Sequence, residues 1–432
     1  MDLTATALDA LARTPVDHRY KGIPLGAELT LSEIATQGWN VARGDLALPI
    51  TTLRRSALEN NIAAMSEYCR RHDVLLAPHG KTTMSPQLFQ RQLDSGAWGI
   101  TAATPTQVAV MRHFGVKRII LANEITERES IQWIARELEA DDSFEFMCLV
   151  DSPDTVEVMD RALDGVLNKR KLEVLLEMGF ANGRAGIRHH EEALRVAQSV
   201  YDSRHLALAG IETFEGVLTN ASAPSDLEDI NALFSAVRLL VHGIAAEGYF
   251  ATPIVTVSAG GSAYFDLVVS NLSDWSDCDL RVRLILRSGC YVTHDLDHYQ
   301  LVSPLDGRRA AGESLHLENA LEGWATVLSR PEPGLAILGA GKRDLPYDVN
   351  LPTPQRAYPP DGAPPVDLRG RGTIFKLMDQ HAFMTLPADF DLVPGAIVVL
   401  GMSHPCTAFD KMRLLPIIDD HDVVVDAVLT FF

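Results

Sequence analysis

The sequence predicts a (β/α)8 TIM barrel followed by a mainly β domain, on three observations. From residue 74 to 286, strand-like runs alternate with amphipathic stretches at roughly one unit every 25 to 30 residues, the period of a strand followed by a helix. About eight such units occur, the count of a closed barrel, whereas a doubly wound open sheet usually carries fewer strands. Past residue 288 long helical patterns stop and short, turn-separated strands take over, which sets a β domain apart from the barrel.

Taken in order, residues 1–50 form a helical and looping lead-in, with Ser32 a candidate cap for a short helix before Gly38, and a strand at 46–53 joining the β domain. Leu58, Ile62, Met65 and Tyr68 then repeat at helical spacing. Barrel strands are expected at 74–77, 98–102, 118–122, 144–150, 172–177, 206–212, 254–258 and 282–286, with amphipathic helices at 106–114, 127–139, 153–167, 191–201 and 227–247. The barrel thus occupies 51–288 and the β domain 289–432, with strands expected at 291–293, 316–319, 326–329, 335–338, 373–377, 383–386, 397–400 and 423–430. Seven prolines within 346–365 place an exposed loop at 344–371, not a core strand.

The 432 residues can bury a large core in about two domains. A hydrophobic share of 47% and a charged share of 22% fit an ordinary soluble protein. The formal net charge of -19, with no Lys/Arg block, repels a phosphate backbone and excludes nucleic acid as a partner. The first residues lack a basic start and an apolar core, and no uninterrupted apolar run is long enough for a bilayer, so a cytoplasmic protein without a membrane partner is expected. Cys69, Cys148, Cys278, Cys290 and Cys406 are odd in number, scattered and free of CxxC spacing, which argues against a disulfide framework. Most read as buried thiols, with Cys406 the exception.

Four stretches can carry chemistry. In LLAPHGKTT at 75–83 an apolar run ends in Pro-His-Gly and delivers Lys81 to the C-terminal mouth of a strand. A lysine partly desolvated there can form a Schiff base with an aldehyde cofactor, though the same lysine could simply close a surface loop. NGRAG at 182–186 follows the strand at 172–177 and sets Arg184 between glycines, where it can bind a phenolate or carboxylate or stay solvated. SAGGS at 258–262 follows the seventh strand; Gly260, Gly261 and Ser262 suit a phosphate, although a Gly-Gly turn can also be purely steric. In SHPCTAFDK at 403–411, His404 and Cys406 at i and i+2 of a strand would share one face and suit a Zn2+ with open positions, or else are two buried side chains.

With RSGCYVTHD at 287–295, these stretches resemble the fold-type III pyridoxal phosphate enzymes, more narrowly the alanine-racemase-like branch with D-threonine aldolase, eukaryotic-type D-serine dehydratase and D-threo-3-hydroxyaspartate dehydratase. The likeness runs from about residue 48 to the C-terminus. It implies an alanine-racemase-type barrel plus a β domain, usually dimeric. It further implies that Lys81 holds pyridoxal 5'-phosphate, Arg184 sits by the ring oxygen, Gly260, Gly261 and Ser262 cradle the phosphate, and His404 and Cys406 bind Zn2+ or another divalent metal. No role follows for Tyr291. The stretch at 379–382, Asp-Gln-His-Ala, departs from the family's Glu-His-Gly, which leaves His381 without a carried role.

The activity implied is metal-dependent dehydration and deamination of a D-3-hydroxy amino acid, foremost D-serine to pyruvate and ammonia, because the His-x-Cys pair resembles D-serine dehydratase. Aldol cleavage of the D-threonine aldolase type is the second reading. A non-catalytic pyridoxal phosphate-binding protein is the third, and the β domain speaks against it. The expected partner is a small D-amino acid, and the expected assembly a homodimer.

Overall fold

The computed structural model describes residues 5–218 and 224–432. Its first architectural unit is a ring of eight parallel strands: Leu75–Leu76, Ile100–Ala102, Arg118–Glu124, Glu145–Val150, Leu172–Met178, Leu206–Thr213, Val255–Ala259 and Val282–Leu286. Each expected barrel strand is present. The eighth strand pairs with the first, Ile285 opposite Leu75. A His79–Thr101 bridge closes the ring between the first and second, where Thr101 donates its N–H to the Pro78 carbonyl at 2.8 Å and its hydroxyl to the Ala77 carbonyl at 2.7 Å. Ala77, Ile120, Met147, Leu149, Leu175, Ala209 and Ile285 fill the interior as a cluster separate from the surrounding core. The barrel is therefore a packed body whose free space lies at its mouth.

Several outer helices start by one device, a hydroxyl residue followed by proline. Thr104 and Ser152 accept from the amides of Gln107 and Thr155 at 3.3 and 3.2 Å, and the proline at the first helical position gives up a hydrogen bond that the helix start lacks anyway. The helix Pro224–Glu247 includes a stretch, Leu227–Glu247, long and apolar enough to reach across a bilayer by length and composition. Ile230, Phe234, Val237, Val241 and Ile244 along it are buried, which is the packing of a barrel helix.

The mainly β part is a ten-stranded sheet, one strand of which comes from before the barrel. That strand is Ile50–Arg54; it runs antiparallel to Leu321–Glu332 and parallel to Leu414–Ile418. Upstream, the short helix Leu31–Thr36 is capped by Thr30 and not by Ser32: the Thr30 N–H and hydroxyl donate to the Glu33 carboxylate at 2.7 and 2.8 Å.

Some expectations for the β segment fail for physical reasons. The proline-rich stretch contains a paired strand, Thr353–Tyr358, lying against Ile397–Gly401; Pro354 is tolerated because the register shifts between it and Arg356. Leu414–Ile418 is a strand despite Pro416. Conversely, 291–293 falls in the tight turn Cys290–Val292, and 316–319 is irregular chain leading into Leu321–Glu332.

A charged network ties the early strand to the sheet. Arg54 reaches Glu322 at 2.7 Å and Asp422 at 2.8 Å, Arg356 reaches Glu322 at 2.7 Å, and Tyr358 donates to Asp422 at 2.6 Å. Replacing Glu322 by Ala leaves two largely buried guanidinium groups short of a counter-charge. The expected loss is about 3–5 kcal/mol of stability, read from the shift in denaturant midpoint.

Candidate active site at the barrel mouth

Lys81 sits on the turn Gly80–Thr82, directly after the first barrel strand. Gly80 makes that turn possible: a Cβ there would lie 2.5 Å from Met111 Cε and 2.8 Å from Ile100 Cγ2. Gly289, in the loop after the eighth strand, brings that loop onto the lysine turn, since a Cβ would lie 2.7 Å from both the His79 carbonyl and Thr82 Oγ1. Lys81 is half-buried, and among the described residues its amine has no hydrogen-bond or ion-pair partner.

The loop after the seventh strand is knitted to the one after the eighth. Arg287 N–H donates to the Gly260 carbonyl at 3.1 Å, the Ser288 hydroxyl to the Gly261 carbonyl at 2.7 Å, and the Cys290 N–H to Ser262 Oγ at 3.1 Å. Gly260 has φ +95°, which only glycine adopts without strain. Its amide and that of Gly261 already donate to the buried Glu215 carboxylate, at 3.2 and 2.8 Å. The amide pair expected for an oxyanion is thus turned towards one supplied by the chain itself. Arg184 is exposed at the rim, its guanidinium 4.8 Å from the Phe214 ring centroid.

His404 and Cys406 are not on a strand. His404 caps the five-residue helix Pro405–Phe409, so the strand-face argument for the pair does not apply. The turn nevertheless aims both at the mouth. His404 Nδ1 meets Asp348 Oδ2 at 2.5 Å, and the Thr407 hydroxyl donates to the other Asp348 oxygen at 2.7 Å. Cys406 Sγ lies 3.4 Å from Thr82 Oγ1 and 3.6 Å from Cys290 Sγ.

One cavity of about 310 Å³ is lined by Lys81, Arg184, Gly260, Gly261, Ser262, His404 and Cys406, the residues singled out from the sequence. Its volume suits a small ligand. It is also lined by residues that the sequence reading passed over: His79, Thr82, Glu177, Glu212, Arg287, Cys290 and Tyr299. A charged residue closing an apolar strand was the available signal for Glu177 and Glu212; the segment at 287–295 carried it for Arg287 and Cys290. Tyr291 faces away, buried, its hydroxyl accepting from Gln92 at 3.0 Å. His381 is exposed and outside the cavity.

Burial dominates the electrostatics. It pushes Glu177 up to about 9, helped by Glu212 and Glu124. It also raises Glu212, against the opposing Arg287 guanidinium with which Glu212 is ion-paired, and raises Glu215 against the Gly261 amide. Burial and then the Lys81 and Arg287 charges hold His79 well below the usual imidazole value. Hydrogen bonding from Cys290, then His404, holds Cys406 well below the ordinary thiol value although burial opposes it; Cys290 is raised correspondingly by Cys406 and by burial.

The residues present fit an aldehyde cofactor with an aromatic ring and a phosphate. The mouth offers a free amine and two guanidinium groups, while His79 Nδ1 and Glu212 Oε2 are buried without hydrogen-bond partners. A borderline-soft metal suits the imidazole and thiol. Among the described residues no group of three or more His, Cys, Asp or Glu side chains is already set to hold a metal.

A neutral buried Glu177 makes stability depend on pH with a definite sign. Above the ordinary carboxylate value of 4.5 the unfolded chain loses its proton, whereas the folded protein keeps it up to about 9. Folding is therefore favoured less as pH rises between those values. Glu177→Gln in cofactor-free protein is expected to flatten this slope, raising the denaturant midpoint at pH 8 and leaving it nearly unchanged at pH 4.

Comparison with known proteins agrees with this fold. The family described as "Alanine racemase, N-terminal domain" matches residues 53–276, and the one described as "Putative serine dehydratase domain" matches 320–418. A D-threonine aldolase from Arthrobacter sp. is 24% identical over 386 residues, 86% of this chain and 93% of that protein. Among solved structures, D-threonine aldolase from Filomicrobium marinum superimposes with TM-score 0.74 at 20% identity, covering 91% of this chain and 96% of that one. D-threo-3-hydroxyaspartate dehydratase from Delftia sp. HT23 superimposes with TM-score 0.70 at 18% identity, covering 89% and 98%. With more than half its length matched by the alanine-racemase domain and its remainder built as described, the chain belongs to the fold-type III pyridoxal phosphate enzymes, in the branch of the D-threonine aldolases and D-hydroxy amino acid dehydratases.

Proposed function

We propose that this enzyme removes the β-hydroxyl and the amino group from a D-3-hydroxy amino acid, foremost D-serine, giving pyruvate and ammonia. The observation that carries the reading is the convergence of the Lys81 amine with an imidazole–thiol pair, His404 and Cys406, in one cavity. The match of a serine dehydratase domain across 320–418, which spans that pair, supports it.

Bound pyridoxal phosphate would supply an electron sink for the α-carbanion, and a divalent metal a Lewis acid for the departing hydroxyl. In this reading Lys81 would hold the cofactor, and its amine would be the base for the proton on the substrate Cα. Arg184 holds the ring oxygen or the substrate carboxylate. Ser262 with the Gly260 and Gly261 loop holds the phosphate, which requires Glu215 to share or release the two amides it now engages. Glu177, neutral at pH 7, offers an O–H donor from the barrel floor. Asp348 fixes the His404 ring so that Nε2 is left for the metal. Zn2+ is the metal this donor set suits, and a homodimer is the assembly the reading includes.

Aldol cleavage is the second reading, favoured by the curated relative being named an aldolase. Product analysis separates the two. Dehydration yields pyruvate and ammonia from D-serine, abolished by chelator and restored by Zn2+. Glycine plus an aldehyde from D-threonine, with little 2-oxo acid, would assign the aldolase instead. Lys81→Ala is expected to remove the visible cofactor band and to lower turnover by at least about 10²–10⁴-fold; a retained band would contradict the role given to Lys81.

A further inference from the structure

We infer that Cys290 is a third protein ligand, so that the metal is held by a Cys2His set of Cys290, Cys406 and His404 with its fourth position open to the cavity. This rests on the reading that His404 and Cys406 hold a metal. The first observation is the spacing of the thiols, with Sγ atoms 3.6 Å apart. Two Zn–S bonds of about 2.3 Å meeting at a tetrahedral angle place their sulfurs roughly 3.8 Å apart, so one edge of the coordination tetrahedron is already close to formed.

The second observation is that both thiols face the cavity and neither is locked in an apolar core. Thr82 Oγ1 lies 3.4 Å from Cys406 and 3.8 Å from Cys290, so the pair stands one residue along the chain from Lys81. The third is that the position of Cys290 is built. Its N–H donates to Ser262 Oγ at 3.1 Å, and Gly289 allows the backbone to approach the lysine turn. Asp348 holds His404 Nδ1 and so leaves Nε2 for the metal. The imidazole closes on the two thiols as the metal binds, since among the described residues the three donors are not yet gathered. Two thiolates make the set softer than an imidazole with one thiolate. Zn2+ or Co2+ is therefore preferred over Mg2+ or Mn2+, which favour oxygen ligands.

The test is X-ray absorption at the metal edge of reduced, cofactor-loaded protein carrying Zn2+ or Co2+. Two sulfur scatterers at about 2.3 Å are expected in the unaltered protein, which needs no variant to fold. In Cys290→Ser the count falls to one, the sulfur-to-Co2+ charge-transfer absorption drops by about half as one of two bonds is lost, and metal affinity falls at least tenfold. A single sulfur in the unaltered protein, with unchanged absorption in Cys290→Ser, overturns the inference and leaves the His404–Cys406 reading standing. So does a Cys290–Cys406 disulfide in metal-loaded protein. If His404→Ala and Cys406→Ser both retain full metal affinity, the underlying reading fails, and the Cys2His set with it.

Discussion

The arrangement depends on the docking of the turn at 403–409 against the turn that carries Lys81. Thr82 is the meeting point: its hydroxyl stands 3.4 Å from the Cys406 thiol, so the barrel's amine and the sheet's soft donors share one cavity. That contact is far too weak to hold two folded bodies together, a hydrogen bond contributing about 1 kcal/mol net. The holding is done around it. Strand Ile50–Arg54 enters the sheet before the chain commits to the barrel, Arg91 pairs with Asp426 at 2.7 Å, and Phe431 donates its N–H to the Met84 carbonyl at 2.9 Å. Because the chain leaves the sheet, builds the barrel and returns, more than three hundred residues separate groups that the fold brings side by side.

Within the cavity the charges are sorted by position. Cationic groups, Lys81, Arg184 and Arg287, belong to the barrel loops, where a phosphate and a carboxylate can be neutralised. The sulfur and imidazole donors come from the sheet and from the loop after the last barrel strand. The deep carboxyls cancel one of these cations and leave two: burial keeps Glu177 neutral, Glu212 is ion-paired with Arg287, and among the described residues Lys81 and Arg184 have no such carboxylate. On a chain of formal charge -19, the pair Lys81 and Arg184 at one cavity is therefore a local construction.

Much of this was legible in the sequence, for identifiable reasons. Strand-like runs alternated with amphipathic stretches at the period of one strand and one helix, so the eight barrel strands were recoverable. Lys81, Arg184 and the glycine loop stood out because strand ends in such folds carry function. What the sequence hid depended on distant neighbours. Asp348 lies in a proline-rich stretch that reads as loop, yet it orients His404. Thr353–Tyr358 and Leu414–Ile418 contain prolines that argue against a strand locally, and the partner strands accommodate them. Cys290 is buried as expected, but the second sulfur beside it comes from more than a hundred residues downstream, and a helix start at His404 stands where a strand was expected for the pair.

The central claim is that an amine on the barrel and a metal centre on the sheet address one substrate from opposite sides. An anomalous-difference map from crystals of the Zn2+-loaded holoenzyme tests it most directly. The account requires a single strong peak between His404 and Cys406, facing the Lys81 side chain across the cavity. A peak elsewhere on the molecule, or a turn at 403–409 swung clear of the barrel mouth in every subunit, would contradict it.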